Sequence, residues 1–105
     1  AIYEAFTLGS KLGLDINVLL DVLRSASANS RQLERIGPKI VSRDFDRPTS
    51  HLGGHLTNQE HTRGLAANVG LDLPMQQVAE NFWRRAVAAG YGPGDPVKSI
   101  EMLEG

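Results

Sequence analysis

Leu8-Gly9-Ser10-Lys11-Leu12-Gly13-Leu14-Asp15 decides the fold. It carries an apolar helical pattern into Gly-Leu-Asp, after which a new helical pattern begins. The same joint recurs at Leu65-Ala66-Ala67-Asn68-Val69-Gly70-Leu71-Asp72. Glycine just past a helix end enters the left-handed region without the steric penalty a Cβ brings. The leucine can then fold back over the finished helix, and the Asp can cap the free N–H groups of the next one. A third stop, Ala89-Gly90-Tyr91-Gly92-Pro93-Gly94-Asp95-Pro96, ends another helix and opens a last one. The chain reads as helices joined by tight corners. Shared corner chemistry explains the duplicated joint, which is too short to mark an internal repeat.

Outward from these corners the apolar spacing is helical throughout. Ile2, Ala5, Phe6, Leu8 and Leu12 form the first stripe, up to Gly13. Asp15 caps a second helix with Ile16, Leu19, Leu20, Val22 and Leu23. After the small polar connector 25–30, Asn29 or Ser30 caps a third, with Leu33, Ile36, Ile40 and Val41 on its buried face. Gly37-Pro38 sits inside that stripe, and Pro removes a backbone bond, so a kink or break is expected there. Residues 42–50 form the longest loop. A fourth helix runs from about His51 to Val69, although Gly53, Gly54 and Gly64 each cost roughly 1 kcal/mol against Ala. Those glycines predict close packing against another helix or a ligand. Pro74 opens a fifth helix with Val78, Ala79, Phe82, Trp83, Ala86 and Val87 as its stripe. Asp95-Pro96 opens a short sixth, ending near Leu103. No period-2 run predicts a strand. The expected fold is all-α, a compact bundle of five to six helices.

Composition narrows the function classes. At 105 residues the chain is one small domain, with 41 % apolar residues and only one Trp, two Tyr and three Phe. A formal charge of −1 gives no electrostatic reason to expect nucleic acid or an anionic membrane. The absence of cysteine excludes disulfides, thiolate metal sites and a Cys nucleophile, and fits a reducing, cytoplasmic setting. No apolar run approaches the ~20 residues of a membrane span. Ala1-Ile2-Tyr3-Glu4-Ala5-Phe6 begins in mid-pattern, as a helix would whose start lies outside the sequence. A trimmed tag is the alternative.

Few residues offer chemistry by themselves. His51 and His55 are one turn apart, but His61 lies about 240° further round the helix from His55. Zinc needs three or four convergent ligands, so no metal site is expected. The glycines 90–94 lack the preceding strand that a phosphate loop requires, and read as a corner. Arg84-Arg85 reads as the solvated edge of an amphipathic helix. Ser25, Ser27 and Ser30 have no evident base and suit capping.

Together the landmarks resemble a known pattern: Glu4-Ala5, Leu8-Gly9, Lys11-x-Gly13-Leu14-Asp15, then Val18-Leu19-Leu20-x-Val22-Leu23 and Asp44-Phe45. The tail follows with Ala66-x-x-x-Gly70-x-x-Leu73-Pro74 and Ala86-x-x-Ala89-Gly90-x-Gly92-x-x-Asp95. Over nearly the whole chain this resembles the helical C-terminal domain of the β-hydroxyacid dehydrogenases, the 3-hydroxyisobutyrate dehydrogenase group. Imine reductases and 6-phosphogluconate dehydrogenases are related. The resemblance implies a two-domain enzyme in which residues 1–105 are the substrate and dimerisation domain. An N-terminal Rossmann domain of about 180 residues would bind NAD or NADP. The family's catalytic Lys would fall upstream of Ala1, so no catalytic residue is assigned here. Ser50 stands where the family carries a Phe lining the cleft. Thr57-Asn58 stands where it carries Lys-Asp, which assigns Thr57 to cofactor and Ser50 and Asn58 to the substrate cleft. Neutral groups thus replace a cation and an anion. The implied partners are a second copy, in a homodimer, and the Rossmann domain. The other function class is a non-catalytic helical oligomerisation or interaction domain, favoured if no Gly-x-Gly-x-x-Gly unit and no Lys-x-x-x-Asn motif lie upstream.

Overall fold

Gly13, Gly70 and Gly90 take positive φ angles of 83°, 66° and 98°, and each closes a helix by the same two bonds. Gly13 N–H donates to Ser10 O and Leu14 N–H to Gly9 O, both at 3.0 Å. Gly70 and Leu71 repeat the pattern onto Ala67 and Ala66, at 3.1 and 2.9 Å. Gly90 and Tyr91 repeat it onto Val87 and Ala86, both at 3.0 Å. Two carbonyls left over at each helix end are thereby satisfied and the chain is turned sharply. In the computed structural model, which describes residues Ala1–Gly105, these corners separate α1 (Ile2–Lys11), α2 (Ile16–Ser25), α3 (Arg31–Ser42), α4 (Leu52–Asn68), α5 (Pro74–Ala88) and α6 (Glu101–Glu104). A 3-10 turn, Pro96–Ile100, leads into α6, and no strand is present.

The chain divides into two compact units. The first comprises residues 1–45 and 100–105. Its buried side chains are Phe6, Leu20, Leu33, Ile36, Ile40, Phe45 and Ile100. Asp15 caps α2 as expected, accepting from the N–H groups of Asn17 and Val18 at 2.8 and 3.3 Å. Ser30 caps α3 by accepting from Leu33 N–H at 3.0 Å. Close helix packing in this unit depends on Gly9 and Gly37. A Cβ on Gly37 would lie 2.6 Å from Leu20 Cδ1, and one on Gly9 would collide with Leu19 Cδ2. Arg43, in the left-handed region at φ 59°, closes α3 and grips the Glu104 carboxylate with two bonds of 2.7 and 2.8 Å.

The second unit, residues 46–99, is the pair α4 and α5 with the flanking loops. Leu52, Ala66, Ala86 and Val97 are its buried apolar residues. Asp95 opens the 3-10 turn by accepting from Val97 N–H at 2.9 Å.

Several local expectations are corrected. Asp72 caps nothing: α5 begins only after Leu73, and Pro74 at its first position has no N–H to satisfy. Pro38 does not break α3, which runs on to Ser42. Pro38 lies on the exposed side, where water can meet the carbonyl that loses its partner. Gly54 and Gly64 have nothing within 4 Å of a would-be Cβ, so the expected close packing is not made within this chain. Val22 is exposed rather than buried, as is Val78 on α5. The charged Glu80 is buried on α5 instead, because two arginines and an amide compensate its charge. Arg84 is accordingly an ion-pair partner and not only a solvated edge.

Candidate functional site

The start of α4 gathers most of the residues assigned from sequence. Its first N–H groups are taken by the glycine loop: Leu52 N–H donates to Gly94 O at 3.1 Å and Gly53 N–H to Gly92 O at 2.9 Å. A Cβ on Gly53 would lie 3.5 Å from Gly92 O, an ordinary van der Waals contact, so the approach does not itself require glycine there. The loop thus offers carbonyl acceptors where a phosphate cradle must offer N–H donors. With no strand in the chain, no unit here can hold a dinucleotide pyrophosphate in the manner of a Rossmann turn.

Ser50 is half-buried just ahead of α4, and its Oγ lies 3.3 Å from His55 Nε2. Counted from the cap residue His51, Ser50 is N′ and His55 is N4, positions that commonly touch across the first turn of a helix. That spacing was the signal in the sequence that could have linked them. The His55 ring in turn meets Trp83 of α5 edge-on, with centroids 5.8 Å apart at 73°. Trp83 also meets Phe82 at 5.3 Å.

Thr57 is exposed and donates its hydroxyl to Gly53 O, one turn back, at 3.2 Å. Asn58 is exposed as well. On an ideal helix Thr57 lies about 160° around from His55, and Asn58 about 60°. Ser50 is joined to His55, whose ring meets Trp83, while Thr57 projects from another face of α4.

Further along the α4–α5 pair lies the most perturbed carboxylate. Glu80 receives Gln76 Nε2 at 2.9 Å, Arg84 at 2.5 Å and Arg63 Nε on both oxygens at 2.9 and 3.0 Å. The Gln76 amide first, then Arg84 and Arg63, outweigh burial and hold its pKa down to about 2. Such an acid has no proton to give near neutrality, so Glu80 is a structural pin and not a general acid. A cleft of about 380 Å³ opens beside it, with Arg63, Asp72 and Gln76 on its wall. One cation and one anion leave it without a net charge preference. No group of three or more His, Cys, Asp or Glu side chains could hold a metal ion. No helix is long and apolar enough to cross a membrane.

Comparison with known proteins places this chain in a family. Residues 1–103 match the family described as NAD-binding of NADP-dependent 3-hydroxyisobutyrate dehydrogenase. L-threonate dehydrogenases of Haemophilus influenzae and Escherichia coli K12 are each 28 % identical over 102 residues, or 97 % of this chain. The chain spans only 34 % and 33 % of those two relatives, about a third of their length. The crystal structure of a 3-hydroxyisobutyrate dehydrogenase from Salmonella typhimurium superposes with a TM-score of 0.89 at 27 % identity. That match covers 95 % of this chain and 35 % of the other. A 3-hydroxyisobutyrate dehydrogenase of Mycobacterium tuberculosis shares the fold, with a TM-score of 0.86 at 24 % identity, covering 99 % of this chain and 38 % of that one. The chain belongs to the NAD-binding family of the NADP-dependent 3-hydroxyisobutyrate dehydrogenases.

Proposed function

We propose that residues 1–105 form the helical substrate-side and pairing domain of an NAD(P)-dependent oxidoreductase acting on a small hydroxy acid. The observation that carries this reading is the family match over residues 1–103, by a chain about a third as long as its dehydrogenase relatives. The dinucleotide fold and the catalytic Lys then come from a Rossmann domain ahead of Ala1, and the enzyme is cytoplasmic. Its own contribution is a neutral stretch of cleft wall at the start of α4, with Ser50 and Asn58 toward substrate and Thr57 toward cofactor. L-threonate, the substrate in the relatives' name, has several hydroxyls, and 3-hydroxyisobutyrate has one. Both are reasonable test substrates.

Pairing as a homodimer is the second part of the proposal. Leu65 on α4, Val69 just past its end, and Met75 and Val78 on α5 are large apolar residues 68–83 % exposed. Exposed apolar residues of this kind favour an interaction surface when they are contiguous. Gly54 and Leu65 lie within about 20° of one another around α4, which leaves room for a neighbouring helix along that face.

The test is direct. The full-length protein should reduce NAD or NADP with L-threonate or 3-hydroxyisobutyrate, while residues 1–105 alone should turn over neither. Failure of the full-length protein with both acids would overturn the dehydrogenase reading. The alternative, a non-catalytic oligomerisation domain, is favoured by one observation: Thr57 and Asn58 bring no charge where the resemblance implies Lys-Asp, and the Thr57 hydroxyl is engaged by its own helix. It predicts a dimer without turnover.

A further inference from the structure

The Gly92 and Gly94 carbonyls already occupy the leading N–H groups of α4, so recognition at this end has to run through side chains. Ser50 has capacity to spare. A hydroxyl offers one donor and two acceptor positions, and Ser50 makes a single side-chain hydrogen bond, to His55 Nε2 at 3.3 Å. Where the imidazole nitrogen accepts, the serine oxygen keeps its lone pairs for a ligand. Where the imidazole donates, the serine O–H is left to donate. Whichever role the ring nitrogen takes, the serine hydroxyl keeps donor or acceptor capacity for a ligand. A substrate hydroxyl is likewise both donor and acceptor, whereas a carboxylate only accepts.

We infer that Ser50 and His55 act as one hydroxyl-recognising unit that makes the substrate cleft proposed at the head of α4 prefer a hydroxy acid carrying more than one hydroxyl. The inference rests on the dehydrogenase reading and deepens it. Ser50 is the residue that touches substrate. His55 is a positioning residue, its ring held by the edge contact with Trp83. A site that satisfies a substrate hydroxyl discriminates against an analogue lacking it, because its own polar groups are then left unpaired.

The experiment uses the full-length protein as wild type, Ser50→Ala, His55→Phe, the double variant and His55→Gln. Phenylalanine keeps a ring against Trp83 and deletes the nitrogen; glutamine restores a polar group within reach of Ser50. Steady-state kinetics are measured with L-threonate and with 3-hydroxyisobutyrate, alongside thermal midpoints. Ser50→Ala and His55→Phe should each lower kcat/KM for L-threonate about tenfold, mainly through KM, and leave 3-hydroxyisobutyrate within about twofold. The double variant should be no worse than either single one, and His55→Gln should recover part of the loss. If His55→Phe fails to fold, Ser50→Ala decides. An unchanged ratio between the two acids in an active enzyme overturns the inference and leaves the dehydrogenase reading standing. Equal losses on both acids overturn it too, since they assign the pair to architecture. No turnover of either acid by wild type overturns both readings together.

Discussion

Arg63 Nε stands 2.9 and 3.0 Å from the two carboxylate oxygens of Glu80, and this contact ties α4 to α5. Arg63 is half exposed while the Glu80 side chain is 4 % exposed, so the anion is the buried partner. Its folded pKa, near 2, lies below the ordinary 4.5. The stability this brings is complete above about pH 4.5 and is lost as pH falls from there toward 2. Glu80→Gln should lower the urea midpoint at pH 7. It should also flatten the midpoint's dependence on pH between 4.5 and 2. An identical acid slope in the variant would show that other carboxylates govern acid unfolding.

Glycines in this chain divide into those that make room and those that do not. Alanine at Gly37 would meet Leu20 Cδ1 at 2.6 Å, and Leu20 is itself buried. Overpacking of this kind costs about 1–3 kcal/mol, more than the roughly 1 kcal/mol gained in helix propensity. Gly64 has open space around it. Gly37→Ala should therefore lower stability, and Gly64→Ala should raise it by about 0.5–1 kcal/mol. Chemical denaturation of the two variants side by side tests this, and equal signs would refute the packing assignment.

Two matching joints should respond differently to one substitution. Asp15 accepts two N–H bonds at the head of α2, and its loss should cost about 1 kcal/mol. Asp72 caps no helix, and Asp72→Ala should stay within about 0.5 kcal/mol of wild type. Thermal unfolding followed by circular dichroism separates them; comparable losses would mean that Asp72 has a role beyond capping.

The proposed dimer can be broken from the open face of α4. A Cβ on Gly54 would find open space outside its own helix, so Gly54→Leu should leave the fold intact and raise helix propensity. If a second copy packs there, sedimentation should show dissociation or aggregation, because a two-fold interface carries every substitution twice. A wild-type chain that remains monomeric at high concentration would remove the dimer from the proposal.

The corners were legible because they are local. Gly13, Gly70 and Gly90 sit where only a residue tolerant of positive φ fits, and the two closing bonds at each involve residues five or fewer apart. Asp15 and Ser30 could be read as caps for the same reason, and the helical count followed from spacing alone. What the sequence could not determine was which glycines accommodate a neighbour. Gly9 and Gly37 do, against Leu19 and Leu20, whereas the conspicuous Gly54 and Gly64 face open space within the chain. Nor could spacing reveal that α5 buries Glu80 while leaving Val78 exposed, because a charge is tolerated inside only when donors from other positions converge on it. Ser50, Thr57 and Asn58 are assigned by resemblance, and the N′-to-N4 spacing makes the Ser50–His55 contact a local one, but only the tertiary structure brings Trp83 against the His55 ring. Trp83 lies on a different helix, and no periodicity within α4 encodes the distance between the two.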